Sequence, residues 1–162
     1  MTHIVAIGGG EIADGETSGI DRRIVAVADG ASPTALFVPT ASGDAAGYRE
    51  TFHDYYGYEL GCETAVLRLV DDPDDDAAVE RKLAAADLVY VGGGDTRSML
   101  DRWRERGVAR RLRAAARDGT VLAGLSAGAL CWFEGGLSDA HPDVEYAPLD
   151  ALGWVDGLRF TP

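Results

Sequence analysis

Short apolar runs alternate along this chain with stretches in which apolar residues recur at helical spacing. The runs of strand length lie at residues 4–7, 35–38, 64–70, 87–91 and 121–125. The stretches with helical spacing lie at residues 20–29, 47–60, 71–86, 96–106 and 108–118. This alternation predicts an α/β fold, a three-layer sandwich in which helices cover both faces of a mostly parallel sheet.

Three of the predicted strands end in residues that are unusual at such positions. Glycine triplets follow two of them, at 8–10 and 92–94, and Ser126 follows the strand at 121–125. In open α/β sheets, ligands bind beyond the carboxyl ends of the strands. We therefore expect these three strand ends to converge on one site.

Length and composition fit one domain that spans residues 1–162. The chain is 46% hydrophobic, which is enough for a substantial core. No apolar run approaches the roughly 20 residues of a membrane span, and the first residues lack the basic start of a signal peptide. Cys62 and Cys131 lie far apart, so neither a disulfide framework nor a thiolate metal site is expected. These features predict a cytoplasmic protein.

The net charge of the chain limits the classes of molecule that it is expected to bind. The formal net charge is −12, and Lys82 is the only lysine. Nucleic acids and anionic membranes are bound by basic patches that neutralise phosphates, so neither is an expected partner. Both a monomer and a homodimer remain open.

The stretch GLSAGALCW, at residues 124–132, contains the pattern G-x-S-x-G directly after an apolar strand. This pattern is typical of a nucleophile elbow, a sharp turn that lifts the serine hydroxyl above the edge of the sheet. Gly124 and Gly128 leave room for the tight backbone, and the amides of Ala127 and Gly128 lie where an oxyanion could be held. The alternative is that Ser126 only caps the helix predicted at 127–133.

Beyond this motif, the sequence resembles the peptidase E or alpha-aspartyl dipeptidase family, which is related to cyanophycinases. The resemblance rests on IGGGEI at 7–12, VPTAS at 38–42, VGGGDT at 91–96, GLSAGALCWFEGGLSD at 124–139 and PLDALG at 148–153. It implies a class I glutamine amidotransferase-like (flavodoxin-like) fold. It also implies a cytosolic serine exopeptidase that cleaves dipeptides with an N-terminal aspartate and needs neither metal nor cofactor.

The resemblance assigns Ser126 as the nucleophile and Gly93, Gly94 and Ala127 as the oxyanion hole. The acid of a catalytic triad orients the histidine and stabilises its positive form, so a carboxylate near the end of the elbow helix is required. Glu134 and Asp139 are the candidates, and Glu134 is preferred because it follows ALCWF directly.

Substrate recognition is predicted at Asp95, Arg97 and Glu11. Members of the family commonly have asparagine where this chain has Asp95, and a carboxylate there would either pair with the substrate ammonium or repel an aspartate side chain. Arg97 is a candidate partner for the substrate carboxylate, and Glu11 follows the first glycine triplet.

The catalytic base is the point where the sequence departs from the family pattern. The chain contains only His3, His53 and His141. In the family, the catalytic histidine follows a proline at the end of a strand, and residues 156–162 resemble that strand. We therefore expect the histidine directly after Pro162, in a C-terminal portion that this chain lacks. The alternative is that His141 has taken over as the base.

Two other classes of function remain open at this stage. The chain could be a catalytically inactive family member that acts as a binding or scaffold protein. It could also be a nucleotide-binding module, since residues 8–13 match G-x-G-x-x-A. The context argues against this second reading, because the predicted strand at 35–38 is not followed by the acidic residue that would bind a ribose.

Overall fold

The computed structural model of the protein describes residues 2–139 and 146–160. Five strands form a parallel sheet: β1 (Ile4–Ile7), β2 (Thr34–Val38), β3 (Glu63–Val66), β4 (Leu88–Val91) and β5 (Val121–Leu125). Their order across the sheet is β1-β5-β4-β2-β3. Strands β2 to β5 have the order of the first four strands of a flavodoxin-like sheet, and β1 occupies the place of the fifth. Strand β5 therefore lies between β1 and β4.

Helices cover both faces of this sheet. They are α1 (Ser18–Ala28), α2 (Ala46–Phe52), α3 (Asp76–Ala85), α4 (Thr96–Glu105), α5 (Val108–Arg117) and α6 (Ala127–Leu130). Helices α1 and α2 pack in one apolar cluster with Phe37 and Tyr90, whereas α3 to α6 pack in another with Leu36 and Val89. Because successive residues of a strand point to opposite faces, the two clusters lie on opposite sides of the sheet. The predicted three-layer α/β sandwich is confirmed.

A second, smaller sheet follows the elbow. It contains β6 (Phe133–Ser138), β7 (Ala147–Asp150) and β8 (Val155–Phe160), in the order β7-β6-β8. Strand β6 is antiparallel to β7 and parallel to β8. The strand predicted in residues 156–162 is present as β8, as far as the described residues extend.

Several predicted elements have different bounds, including the helix predicted at 71–86, which spans Asp76–Ala85. Three further differences concern a strand and two helices. The strand predicted at 64–70 ends at Val66, and the backbone amides at 69–71 donate to the Asp44 carboxylate instead of to a neighbouring strand. The helix predicted at 47–60 becomes π-helical over His53–Glu59. The rings of Phe52 and Tyr56 stack there with centroids 4.3 Å apart.

The third difference concerns the elbow helix, which was predicted to reach Phe133 and ends at Leu130. The following residues pair with the segment before β8 instead of continuing the helix. The Cys131 carbonyl accepts from the Leu152 amide, and the Trp132 carbonyl accepts from the amides of Trp154 and Val155.

Among the described helices, none has the length and apolar character required to cross a bilayer.

A buried acid lies in the layer formed by α1 and α2. Asp21 is fully buried, and its carboxylate accepts hydrogen bonds of 2.7 Å from the hydroxyls of Thr17 and Tyr56. Burial raises the pKa of Asp21 above its ordinary value of 3.8, and the two hydrogen bonds offset part of that effect. The folded protein therefore holds the Asp21 proton more tightly than the unfolded chain does.

This shift predicts how stability depends on pH. The contribution of a group with a raised pKa is complete below its unfolded pKa and is lost as pH rises through its folded pKa. The free energy of unfolding of the native protein, relative to that of the variant Asp21→Asn, should therefore fall as pH rises across the range above about 4, the ordinary pKa of an aspartate. Denaturant titrations of both proteins across this range test the prediction, and parallel pH curves would contradict it.

Candidate active site

The backbone turns sharply at Ser126, between the end of β5 and the start of α6. Ser126 has φ 53° and ψ −111°, a region that residues other than glycine rarely adopt. Strain of this kind costs on the order of 1–3 kcal/mol and persists only where surrounding contacts enforce it. One such contact is the hydrogen bond of 2.9 Å from the Ser126 amide to the Ile7 carbonyl at the end of β1.

The two glycines of the motif are required by close contacts within the backbone. A Cβ atom at Gly124 would overlap the carbonyl group of Gly128, and a Cβ atom at Gly128 would overlap the carbonyl group of Val91. The start of α6 is therefore packed directly onto the ends of β5 and β4. This packing explains the spacing G-x-S-x-G, and a serine that only capped a helix would not require it.

Ser126 opens into a cavity of about 560 Å³ at the carboxyl ends of β1, β5 and β4. The lining combines glycines from both triplets with polar and apolar side chains: Gly8, Gly9, Gly10, Glu11, Tyr48, Gly93, Gly94, Thr96, Leu125, Ser126, Leu130, Leu137, Ser138, Asp139 and Tyr146. The expected convergence of the three strand ends is confirmed, because β1 and β4 are the two neighbours of β5.

The structure separates the two candidates for the triad acid. Asp139 follows β6 and lines the cavity together with Ser126. Glu134 belongs to the opposite end of β6 and is not among the described lining residues. The preference for Glu134 assumed a longer elbow helix that would turn this residue back toward the serine. The catalytic role of either acid remains a prediction.

The predicted substrate-binding residues are placed in two groups. Glu11 lies in the cavity wall directly after the first glycine triplet. Asp95 instead begins α4, where its carboxylate accepts hydrogen bonds from the Ser98 amide at 2.9 Å and the Ser98 hydroxyl at 3.0 Å. Arg97 is exposed in the first turn of α4, and neither it nor Asp95 belongs to the described cavity lining.

The predicted oxyanion donors surround Ser126. Ala127 is the first residue of α6, so its amide is one of those that a helix leaves without an internal partner. On the other side, the loop after β4 comes close, since a Cβ atom at Gly93 would lie 3.4 Å from the Ser126 Cβ and 4.0 Å from its Oγ. Gly94, at φ 137°, is packed against the Ala41 carbonyl.

Tyr48 is one of the polar cavity-lining residues that the sequence did not reveal as functional. The Tyr48 hydroxyl accepts a hydrogen bond of 3.3 Å from the Gly93 amide. Burial raises the pKa of Tyr48, the hydrogen bond from Gly93 lowers it, and the negative charges of Glu11 and Asp21 raise it further. In the sequence, Tyr48 is indistinguishable from the other aromatic residues on the same side of its helix.

The described histidines lie away from the cavity. His3 precedes β1, at the opposite end of the strands from Ser126, and the exposed His53 is hydrogen-bonded to Thr64. His141 and Pro162 lie outside the described residues.

Cys131, close to Ser126 in sequence, is fully buried, and its thiol donates to the Gly128 carbonyl. Burial raises the pKa of this thiol, so it is not a competing nucleophile.

Comparison with known proteins identifies the family of this fold and site. Residues 4–160 match the model of peptidase family S51. The chain belongs to peptidase family S51. Its S51 relatives include the "Uncharacterized peptidase YgaJ" of Bacillus subtilis (strain 168), which is 37% identical over 164 residues. That alignment covers 100% of this chain and 68% of YgaJ.

A second relative is named "Peptidase E", from Citrobacter koseri, and is 33% identical over 127 residues. The alignment covers 74% of this chain and 51% of the relative. This S51 chain therefore spans between about half and about two thirds of the length of these curated relatives.

Solved structures share the S51 fold of this chain. A peptidase from an acI-B1 Actinobacterium superimposes with a TM-score of 0.77 at 21% identity, over 98% of this chain and 67% of that one. A putative peptidase E from Listeria monocytogenes EGD-e superimposes with a TM-score of 0.68 at 20% identity, over 94% and 74%. Two findings argue against the nucleotide-binding module considered from the sequence. The chain belongs to a peptidase family, and α1 begins at Ser18 and not directly after the glycine triplet at 8–10.

The close backbone packing at the elbow predicts how a side chain at position 124 would change the stability of the protein. The variant Gly124→Ala should lose about 1–3 kcal/mol of unfolding free energy, because its methyl group would overlap the backbone at Gly128. The control is Gly19→Ala in α1, where a Cβ atom meets nothing within 4 Å and alanine is the better helix former. Chemical denaturation of both variants tests this, and equal stabilities would contradict the account.

Proposed function

We propose that this protein is a serine exopeptidase that hydrolyses dipeptides or short peptides with an N-terminal aspartate, with Ser126 as the nucleophile. The observation that carries the proposal is the strained backbone of Ser126 at the mouth of the cavity, in a chain of a peptidase family. The preference for aspartate rests on the resemblance of the sequence to alpha-aspartyl dipeptidases.

The proposed reaction has two halves. The Ser126 oxygen attacks the carbonyl carbon of the first peptide bond while its proton passes to a general base. The negative oxygen of the tetrahedral intermediate is held by the Ala127 amide and by donors at the Gly93–Gly94 loop. The bond to nitrogen then breaks, and the amine leaves with the proton from the base. Water hydrolyses the resulting acyl-enzyme and restores the serine.

The general base is proposed to be the histidine expected after Pro162, with His141 as the alternative. Among the described residues that line the cavity there is no histidine, which is consistent with either candidate. We propose Asp139 as the acid that orients the base, because it shares the cavity with Ser126 whereas Glu134 does not. The carboxylate would stabilise the imidazolium that forms when the serine is deprotonated.

The proposed binding of the substrate N-terminus uses Glu11. An exopeptidase must recognise the free α-ammonium group, and a carboxylate in the cavity wall provides a charge-assisted partner for it. Glu11 and Asp139 are both exposed acids in the lining, so the cavity favours a cation near Ser126. Arg97 remains the proposed partner of the substrate carboxylate, although the described lining does not include it.

A second candidate is an inactive family member that binds peptides without cleaving them. This alternative applies if neither proposed histidine reaches Ser126. It predicts peptide binding without turnover, so a hydrolysis assay distinguishes the two functions.

The serine is tested by replacing it. The full-length protein should release aspartate from Asp-Leu. Ser126→Ala should lower kcat by about 10⁶, and the remaining rate would come from substrate binding and the oxyanion donors alone. The matched control is Ser32→Ala, since Ser32 is an exposed serine before β2, at the opposite end of the strands from Ser126. Release of aspartate by Ser126→Ala at the native rate would contradict the proposal, and binding without release by the native protein would favour the inactive alternative.

The role of Glu11 predicts a change in KM. Glu11→Gln should raise KM for Asp-Leu about 3- to 10-fold with little change in kcat, because the ammonium contact is the same in the substrate and the transition state. Glu63→Gln, at the exposed start of β3, serves as the control. N-acetyl-Asp-Leu, which lacks the ammonium group, should be a poor substrate for all three proteins. An unchanged KM in Glu11→Gln would contradict this role.

A further inference from the structure

Tyr48 is held in a fixed position at the edge of the active-site cavity. Its ring meets that of Phe37 edge to face, with centroids 4.9 Å apart. On its other side it lies against the backbone of β4, where a Cβ atom at Gly92 would come within 2.8 Å of a ring carbon. Glycine at position 92 therefore lets the tyrosine ring approach the end of β4, and these contacts restrict the directions in which the hydroxyl can point.

The Tyr48 hydroxyl accepts a hydrogen bond from the Gly93 amide, which was predicted to be an oxyanion donor. The Gly93 amide donates to the Tyr48 oxygen at 3.3 Å, so this amide does not face an empty position. A phenol that accepts one hydrogen bond still has its own hydrogen to donate. Within the described ranges, the bond from Gly93 is the one hydrogen bond of this hydroxyl, and Tyr48 lines the same cavity as Ser126.

We propose that Tyr48 is a catalytic residue that donates its hydroxyl hydrogen to the oxyanion, while its oxygen accepts the Gly93 amide. The Gly93 amide then acts on the oxyanion through the phenol, whereas the Ala127 amide donates to it directly. This assignment rests on the proposed peptidase function, because it requires a tetrahedral intermediate at Ser126.

The chemistry of the phenol suits this role. Its pKa is raised by burial, so the hydroxyl remains protonated and neutral at the pH where a peptidase acts. A hydroxyl that accepts a hydrogen bond becomes a stronger donor, because the bonds in such a chain polarise one another. A donor that is already in place needs no reorganisation when the charge develops, and this is how oxyanion holes lower the barrier.

The variant Tyr48→Phe tests the proposal, because it removes the hydroxyl and keeps the ring that packs on Phe37 and Gly92. Removal of one oxyanion donor typically lowers kcat by about 10² to 10³. We expect a loss of this size in Tyr48→Phe, with KM for Asp-Leu changed by less than about threefold. The affinity for an aspartate boronic acid, which forms a tetrahedral adduct with a serine, should fall with kcat. The affinity for aspartate itself should not change.

The control is Tyr55→Phe. Tyr55 is a buried tyrosine of the same layer, whereas Tyr48 is half-buried. The Tyr55 hydroxyl has no partner within the described part of the chain and does not line the cavity. Its kcat should match that of the native protein. Melting temperatures of both variants report whether the fold is intact.

The outcomes separate this inference from the proposed function. If Ser126→Ala abolishes hydrolysis and Tyr48→Phe retains the native kcat and boronic acid affinity, Tyr48 is not an oxyanion donor and the inference is wrong. A loss in Tyr48→Phe that appears only in KM would also overturn it, because such a change indicates ground-state binding. If the native protein does not hydrolyse Asp-Leu and binds no boronic acid, the proposed function itself fails.

Discussion

The site depends on the close approach of α6 to the ends of β5 and β4. Gly124 and Gly128 permit backbone contacts there that any side chain would block. As a result, Ser126 is forced into a conformation that costs on the order of 1–3 kcal/mol, and the hydrogen bond from its amide to β1 helps to keep it there. The hydrophobic packing of α6 against β4 and β5 offsets that cost, since Ala127, Leu130 and their neighbours are buried.

The order of the strands turns this local strain into a site. Because β5 lies between β1 and β4, each glycine triplet ends beside the elbow. Residues without side chains leave the cavity open, so the few groups that do enter it determine its chemistry. Among these groups are Glu11 after β1, Tyr48 from α2 and Asp139 after β6, which give an acidic cavity with a neutral hydroxyl near the serine. This arrangement is suited to a substrate with a free ammonium group.

Much of this architecture was predictable because the signals were local. The five apolar runs, the helical spacing between them and G-x-S-x-G each occupy a short stretch, so the parallel sheet and the elbow could be predicted from the sequence. The convergence of the strand ends also followed, from the general position of ligands in α/β sheets. The resemblance to peptidase E agrees with the family to which the chain belongs.

The remainder depended on contacts between distant residues. Tyr48 acquires its place from Gly92 and Gly93, which lie far along the chain, and nothing near it in sequence distinguishes it from Tyr55. The preference for Glu134 over Asp139 assumed that the helix continued past Leu130, whereas pairing with the segment before β8 ends it there. Asp95 follows a glycine triplet as Glu11 does, but its carboxylate caps α4.

The most direct test of this account is to find where a fluorophosphonate attaches to the full-length protein. A serine-directed fluorophosphonate forms a stable covalent bond only with an activated nucleophile, and peptide mapping by mass spectrometry locates the modified residue. The account predicts one modification, on Ser126, in the peptide that contains GLSAGALCW. Modification of a different serine, or none under conditions where the protein hydrolyses Asp-Leu, would contradict it.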